Sequence, residues 1–209
     1  YSLVTPDHPD QIVIQIHPDP EELGKVYRPD LAICADMAEF SESATLWDDD
    51  IVPFDAGIEA HDDWLAWSTP VENGAAIDLA LCVGHMRAVL PADTIICNGA
   101  GNFSSWWHRY WRYEGFPSQL APMSGAMGYG LPASVAAARR LPDRTVVALA
   151  GDGDFMMNGQ ELATAQQYGC DIIVLIIDNG GYGTIRMHQE REYPGRVSGT
   201  ALSNPDFAA

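Results

Sequence analysis

Two short apolar runs, each followed by a glycine turn and separated by a proline-free stretch, constrain this chain more than any other feature. Residues 145–150 (TVVALA) and 171–177 (DIIVLII) are rich in Val and Ile and bounded by turn formers, the pattern of parallel strands buried on both faces. Between them, residues 156–168 are rich in Ala, Gln and Leu, and Gly169 is placed to close the helix they predict. A strand, a crossover helix and a second parallel strand make a right-handed βαβ unit, whose post-strand loops open together at the carboxyl edge of the sheet. The expected fold class is therefore α/β, a doubly wound, mostly parallel sheet with helices on both faces.

Those two loops carry the chemistry. Asp152 lies in Gly151-Asp152-Gly153, and Asn179 lies in Asp178-Asn179-Gly180-Gly181, 27 residues later. A carboxylate and a carboxamide oxygen at neighbouring strand ends, with glycines that free backbone groups, suit Mg²⁺ holding a diphosphate. The helix, expected to start near Phe155, would aim its free N–H groups at the same place. Other nucleotide-binding loops fit less well. A Rossmann fingerprint needs glycine where Met156 stands, and no Walker lysine is present.

A GDG followed at this interval by asparagine resembles the diphosphate-binding motif of thiamine-diphosphate enzymes. The flanking words GDGDFMMNGQELATA and DNGGYG resemble the acetolactate synthase and 2-oxo acid decarboxylase branch. The resemblance implies thiamine diphosphate and Mg²⁺ as cofactors, with the metal on Asp152, the Asn179 side chain and the Gly181 carbonyl. It also sets Gly151, Gly153, Asp154, Tyr182 and Gly183 against the cofactor. Asp178 departs from the pattern, since these enzymes usually carry a first asparagine there. A third glycine-rich turn follows the apolar run 94–97, and there Gly101, Asn102 and Phe103 take the places of a loop that faces the diphosphate. The segment SGAMGYGLPA resembles the cofactor-bending element. By that match the Met127 side chain wedges between the two thiamine rings and the Gly125 carbonyl accepts from the aminopyrimidine amine. His188 and Gln189, in a charged stretch expected to lie over the cofactor as a mobile cover, are candidate substrate contacts. Branched-chain acetolactate synthases carry a tryptophan near the place of His188.

Along the chain, residues 1–45 read as the end of a Rossmann-like middle domain, with strands at 11–16 and 31–34. Residues 46–74, acidic and without a clean period, read as a linker, and 75–209 as the cofactor-binding domain, incomplete at its C-terminal side. The resemblance to the acetolactate synthase group implies an adenine-nucleotide or FAD site in this middle domain, whose acids Glu22 and Asp36 fit, whereas His17 stands where an acid would hold a ribose and counts against FAD. Residues 75–90 predict a helix whose apolar face includes Ile77, Leu79, Leu81, Val83 and Met86, and 131–141 predict another with Pro132 in its first turn. Phe103, Trp107, Tyr110 and Trp111 recur at helical spacing, so the stripe is expected to be core or a subunit contact, with a dimer surface near the cofactor the favoured choice.

Charge narrows the partners. With 29 acidic against 11 basic residues and a formal net charge of −18, neither nucleic acid nor an anionic membrane is an expected partner, since both need clustered Lys and Arg. The four cysteines are dispersed and form no CxxC pair, so a reducing cytoplasm is the expected compartment. Taken with the resemblance, the expectation is the thiamine diphosphate- and Mg²⁺-binding part of a homodimeric or homotetrameric enzyme. That enzyme would decarboxylate a 2-oxo acid and pass the carbon unit to an acceptor. Its catalytic glutamate would lie in a preceding domain outside these residues, leaving residues 1–209 inactive alone. The alternatives are a benzoylformate-type decarboxylase, a glyoxylate carboligase, or a non-catalytic cofactor-binding or assembly module.

Overall fold

A computed structural model describes residues 5–47 and 56–208, which belong to two compact units divided between Asp55 and Ala56. In the first unit, β1 (Ile14–His17) and β2 (Leu31–Cys34) pair in parallel, Ile14 opposite Leu31. A single 3-10 turn, Pro20–Glu22, lies in the connection. The expected strand at 11–16 thus begins three residues later. Asp36 ends β2's exit and caps α1 (Met37–Ala44), its carboxylate accepting from the Ala38 amide at 2.8 Å. Glu22 pairs with Lys25.

The expected linker is in part a helix. Residues 48–55 lie outside the described residues, but α2 spans Ala56–Trp67. Two arginines hold its C-terminal end. Arg112 donates to Ser68 Oγ at 2.6 Å with its guanidinium 4.1 Å from the Trp64 ring centre, and Arg109 donates to the Trp67 carbonyl at 2.8 Å.

The rest of the second unit is a doubly wound sheet. α3 (Leu79–Val89) leads to β3 (Ile95–Asn98), α4 (Ser104–Tyr110), the short β4 (Gln119–Leu120), α5 (Gly130–Arg140) and β5 (Val146–Gly151). Then come α6 (Asp152–Asn158), α7 (Glu161–Gln167), β6 (Ile173–Ile177) and α8 (Gly183–Glu192). The four strands are parallel in the order β4-β3-β5-β6. Successive side chains of a strand point to opposite faces, and here both faces are covered. Ile96, Val147 and Leu149 pack with Ala80, Val83, Trp107, Tyr110 and Trp111, while Ile95, Cys97 and Val146 pack with Ala137 and Ala138 of α5.

Several expectations are corrected. The helix read at 156–168 is two helices, divided at Gly159 and Gln160, and the first begins at Asp152 rather than near Phe155. α3 begins at Leu79 because Asp78 caps it, accepting from the Ala80 amide at 2.9 Å. Ile77 is therefore left 75% exposed, and it is Ala80 and Val83, not Leu81, that reach the core. The aromatic stripe is core rather than a dimer surface: Trp107, Tyr110 and Trp111 are buried in one cluster with Ala80, Val83, Ile96, Val147 and Leu149. The stretch after Gly183, expected as a cover, begins as the helix α8.

Burial separates the cysteines. Cys97 sits in the innermost strand pair, and desolvation pushes its thiol up to about 12, whereas Cys34 is exposed. At pH 8 a thiolate-selective reagent should label Cys34 in the native protein and reach Cys97 only after denaturation. Mass-spectrometric mapping of the labelled peptides, with and without urea, checks this.

Candidate functional site

Parallel strands whose carboxyl ends line up bring the loops after β3, β5 and β6 to one edge. There they enclose a cavity of about 460 Å³, within the range of small-molecule sites. Gly101, Asn102, Phe103, Gly125, Met127, Gly151, Asp152, Gly153, Asp154, Asn179, Gly181, Tyr182 and Gly183 all line it. Every residue that the resemblance sets against thiamine diphosphate thus lines this one cavity. His188 and Gln189 do not. His188 is exposed beside Arg191, 2.9 Å away, and Gln189 uses both ends of its amide on the backbone of Ser198. Thr184 and Ile185 line the cavity instead.

One amide joins the two motif loops. The Gly181 N–H donates to Asp152 Oδ2 at 2.9 Å and to Asn179 Oδ1 at 3.1 Å. Asp152, the first residue of α6, is buried at 3% exposure, while Asn179 is exposed. A hard carboxylate oxygen, an amide oxygen and a backbone carbonyl form a donor set that suits Mg²⁺. No group of three His, Cys, Asp or Glu able to hold a metal occurs among the described residues, so a cation here would complete its shell from the ligand it carries.

Asp154, two residues on, is also buried, but it faces inward. One of its oxygens accepts from the Gly128 amide at 2.5 Å, and the other has no hydrogen-bond partner among the described residues. Burial pushes its carboxyl up, against the opposing pull of the Gly128 amide. The Gly128 carbonyl in turn accepts from Asn158 Nδ2 at 2.7 Å. Both backbone groups of the residue after Met127 are therefore gripped by α6. Met127 itself is 37% exposed on the cavity wall. Sequence reasoning placed Asp154 at the cofactor and passed over Asn158, which lies one turn further along the same helix and reaches back to the Gly128 carbonyl.

The glycines make room for these approaches. A Cβ at Gly99 would lie 1.9 Å from the Asp154 carboxylate, and one at Gly181 would lie 2.6 Å from the Thr200 carbonyl. The Tyr182 ring covers Gly153 and the Phe103 ring covers Gly151. At the far end, α8 opens on the cavity with no side-chain cap, so the first-turn amides of Thr184 and Ile185 are not used within the helix. A charged run led the sequence reading past this helix; its Ile, Arg, Met, Gln and Glu content, without proline, was the signal available.

Comparison with known proteins agrees with this geometry. Residues 99–209 match the family model described as "Thiamine pyrophosphate enzyme, C-terminal TPP binding domain". The acetolactate synthase large subunit of Corynebacterium glutamicum is 30% identical over 215 residues, covering 95% of this chain and 34% of that protein. The probable chloroplastic acetolactate synthase 2 of Oryza sativa subsp. japonica is 29% identical over 208 residues, covering 92% of this chain and 31% of that protein. Among solved structures, the thiamine diphosphate-dependent 4-hydroxybenzoylformate decarboxylase of Rhodococcus jostii RHA1 superposes with a TM-score of 0.75 at 27% identity, over 94% of this chain and 36% of that one. The chain spans about a third of the length of these relatives. A doubly wound parallel sheet, a cavity at its carboxyl edge and this agreement together show that the chain belongs to the thiamine diphosphate-dependent enzymes, with residues 99–209 matching their C-terminal cofactor-binding domain.

Proposed function

We propose that this chain holds the diphosphate end of thiamine diphosphate through Mg²⁺, within an enzyme that decarboxylates a 2-oxo acid and passes the carbon unit to an acceptor, as acetolactate synthase does. The observation that carries the proposal is the Gly181 amide, which draws Asp152 and Asn179 from separate loops onto a single nitrogen. Asp152, the Asn179 side chain and the Gly181 carbonyl would hold the cation. The free amides of Thr184 and Ile185 at the start of α8 favour an anion at the same end of the cavity. Gly101 and Asn102 close that end from β3, and the Asn102 amide is fixed by Thr184 Oγ1 at 3.1 Å.

When bound, thiamine diphosphate supplies the carbon nucleophile and the electron sink that decarboxylation of a 2-oxo acid requires. The chain's own part is to place it. Met127 projects from a turn whose next residue is tied to α6 at both backbone groups, so its side chain would serve as a prop between the cofactor's two rings. The Gly125 carbonyl, on the same stretch, would accept from the aminopyrimidine amine. No catalytic carboxylate is assigned here; the glutamate that such chemistry needs is proposed to come from a domain beyond these residues. His188 and Gln189 are left out of the substrate site because neither faces the cavity. Flavin is left out too, as His17 at the end of β1 stands where an acid would hold a ribose.

The likeness to 4-hydroxybenzoylformate decarboxylase favours a second reading, simple decarboxylation of an aryl 2-oxo acid. The family reading further carries a homodimer or homotetramer in the cytoplasm, for which sedimentation and fractionation are the tests. No described helix is long and apolar enough to cross a membrane.

Product analysis on the full-length protein with thiamine diphosphate and Mg²⁺ separates the two readings. Pyruvate giving acetolactate supports the first, and benzoylformate giving benzaldehyde supports the second. Failure to take up thiamine diphosphate by calorimetry would sink both. Asp152→Ala should weaken that uptake roughly a hundredfold, about 2.7 kcal/mol, and the loss should shrink when Mg²⁺ is omitted for both proteins. Asn158→Ala releases one grip on the Met127 turn. Its cofactor affinity should stay within about threefold of wild type while turnover falls at least about tenfold, as expected of a prop that acts after binding.

A further inference from the structure

The segment after α8 returns to the site. Gln189 holds Ser198 at both backbone groups. The segment then crosses the loop after β6. The Tyr182 amide donates to the Thr200 carbonyl, the Leu202 amide donates to the Gly180 carbonyl, both at 2.9 Å, and Gly181 bridges Ala201 antiparallel. Thr200 is buried, and Phe207 packs edge-on against Phe155 of α6 with ring centres 5.4 Å apart. Between these anchors, Asn204 Nδ2 donates to Asp152 Oδ2 at 2.7 Å and to Asp178 Oδ1 at 2.8 Å.

That contact has one sensible polarity. Ionised carboxylates only accept, so the amide nitrogen and not its oxygen faces them. Both neighbours of Asp152 fall on the same atom: Oδ2 takes the Gly181 amide and the Asn204 amide, which leaves Oδ1 for a cation. The same nitrogen bridges Asp152 to Asp178, an acid on the loop that carries Asn179. Without it, two like charges would face each other across the site and the Asp152 carboxylate would keep only one restraint.

We propose that Asn204 is a positioning residue for the metal site. It fixes the Asp152 carboxylate by Oδ2, so that Oδ1 meets the divalent cation, and it ties the loops after β5 and β6 together through Asp178. The inference rests on the reading of Asp152 as a metal ligand. Outer partners of metal ligands commonly matter by about 10- to 100-fold in affinity, and that range is expected here.

The test uses Mn²⁺ as the probe, counted by electron paramagnetic resonance as it binds the full-length protein in the presence of thiamine diphosphate. Asn204→Ala should raise the Mn²⁺ dissociation constant about 10-fold or more, and Asn204→Ser, which keeps one donor, should raise it less. Phe207→Ala loosens the same segment without touching a carboxylate and should leave the constant within about twofold. The inference is overturned if either Asn204 variant, shown folded by circular dichroism, binds Mn²⁺ as wild type does. It is equally overturned if Phe207→Ala weakens binding as much as Asn204→Ala, for then the segment is only an anchor. If the wild-type protein itself binds no Mn²⁺ with thiamine diphosphate, it is the underlying reading of the site that fails.

Discussion

The Gly181 amide is where this structure's separate parts become one site. A backbone N–H is a fixed donor, and by bonding Asp152 and Asn179 together it makes the ends of β5 and β6 a single surface. That is possible only because the two strands are parallel neighbours in register, Gly151 opposite Ile177, so that the chain leaves both at the same height. It also requires glycine at 181 itself, where a Cβ would press against the Thr200 carbonyl. The sheet order, the strand lengths and the glycine are conditions for the same two hydrogen bonds.

The motif loops were legible because each of their features is local. Val- and Ile-rich runs flanked by glycine mark buried parallel strands whatever surrounds them, and the 152-to-179 interval follows from one βαβ unit. Met127 and Gly125 were legible through a resemblance rather than through any physical signal in the residues. What escaped depends on tertiary placement. Gly159 divides α6 from α7, although the surrounding Ala, Gln and Leu favour a continuous helix, and a lone glycine is too weak a breaker to identify in sequence. The aromatic stripe of α4 has the helical period it was given, but period says only that a face is apolar, not whether its cover is the same chain or another. α2 was lost in an acidic run, because an exposed helix with no strong apolar face leaves little trace of its period.

Asn204 and Asn158 illustrate a deeper limit. Neither stands in a motif that physics can read, and an asparagine is an ordinary surface residue until its neighbours are known. Their importance comes from contacts across 52 and 30 positions of sequence, to Asp152 and Gly128. Each supports a residue that was legible. Groups that would touch a ligand come in recognisable combinations because chemistry dictates them, whereas the groups behind them need only supply a donor in the right place.

Charge gives the arrangement its direction. Asp152, Asp154 and Asp178 stand within three residues of the strand ends that face the cavity, and none takes part in the ion pairs found among the described residues. Burial pushes the Asp154 carboxyl toward its neutral form, and amides rather than cations hold all three acids. Amide hydrogen bonds orient a carboxylate but do not cancel its field. A diphosphate approaching such a site meets repulsion from Asp152 unless a cation lies between them, and the strength of that repulsion grows as the cavity excludes water. A site acidic at its centre and lined with free amides at its edge therefore favours the anion and the divalent metal together over either one alone.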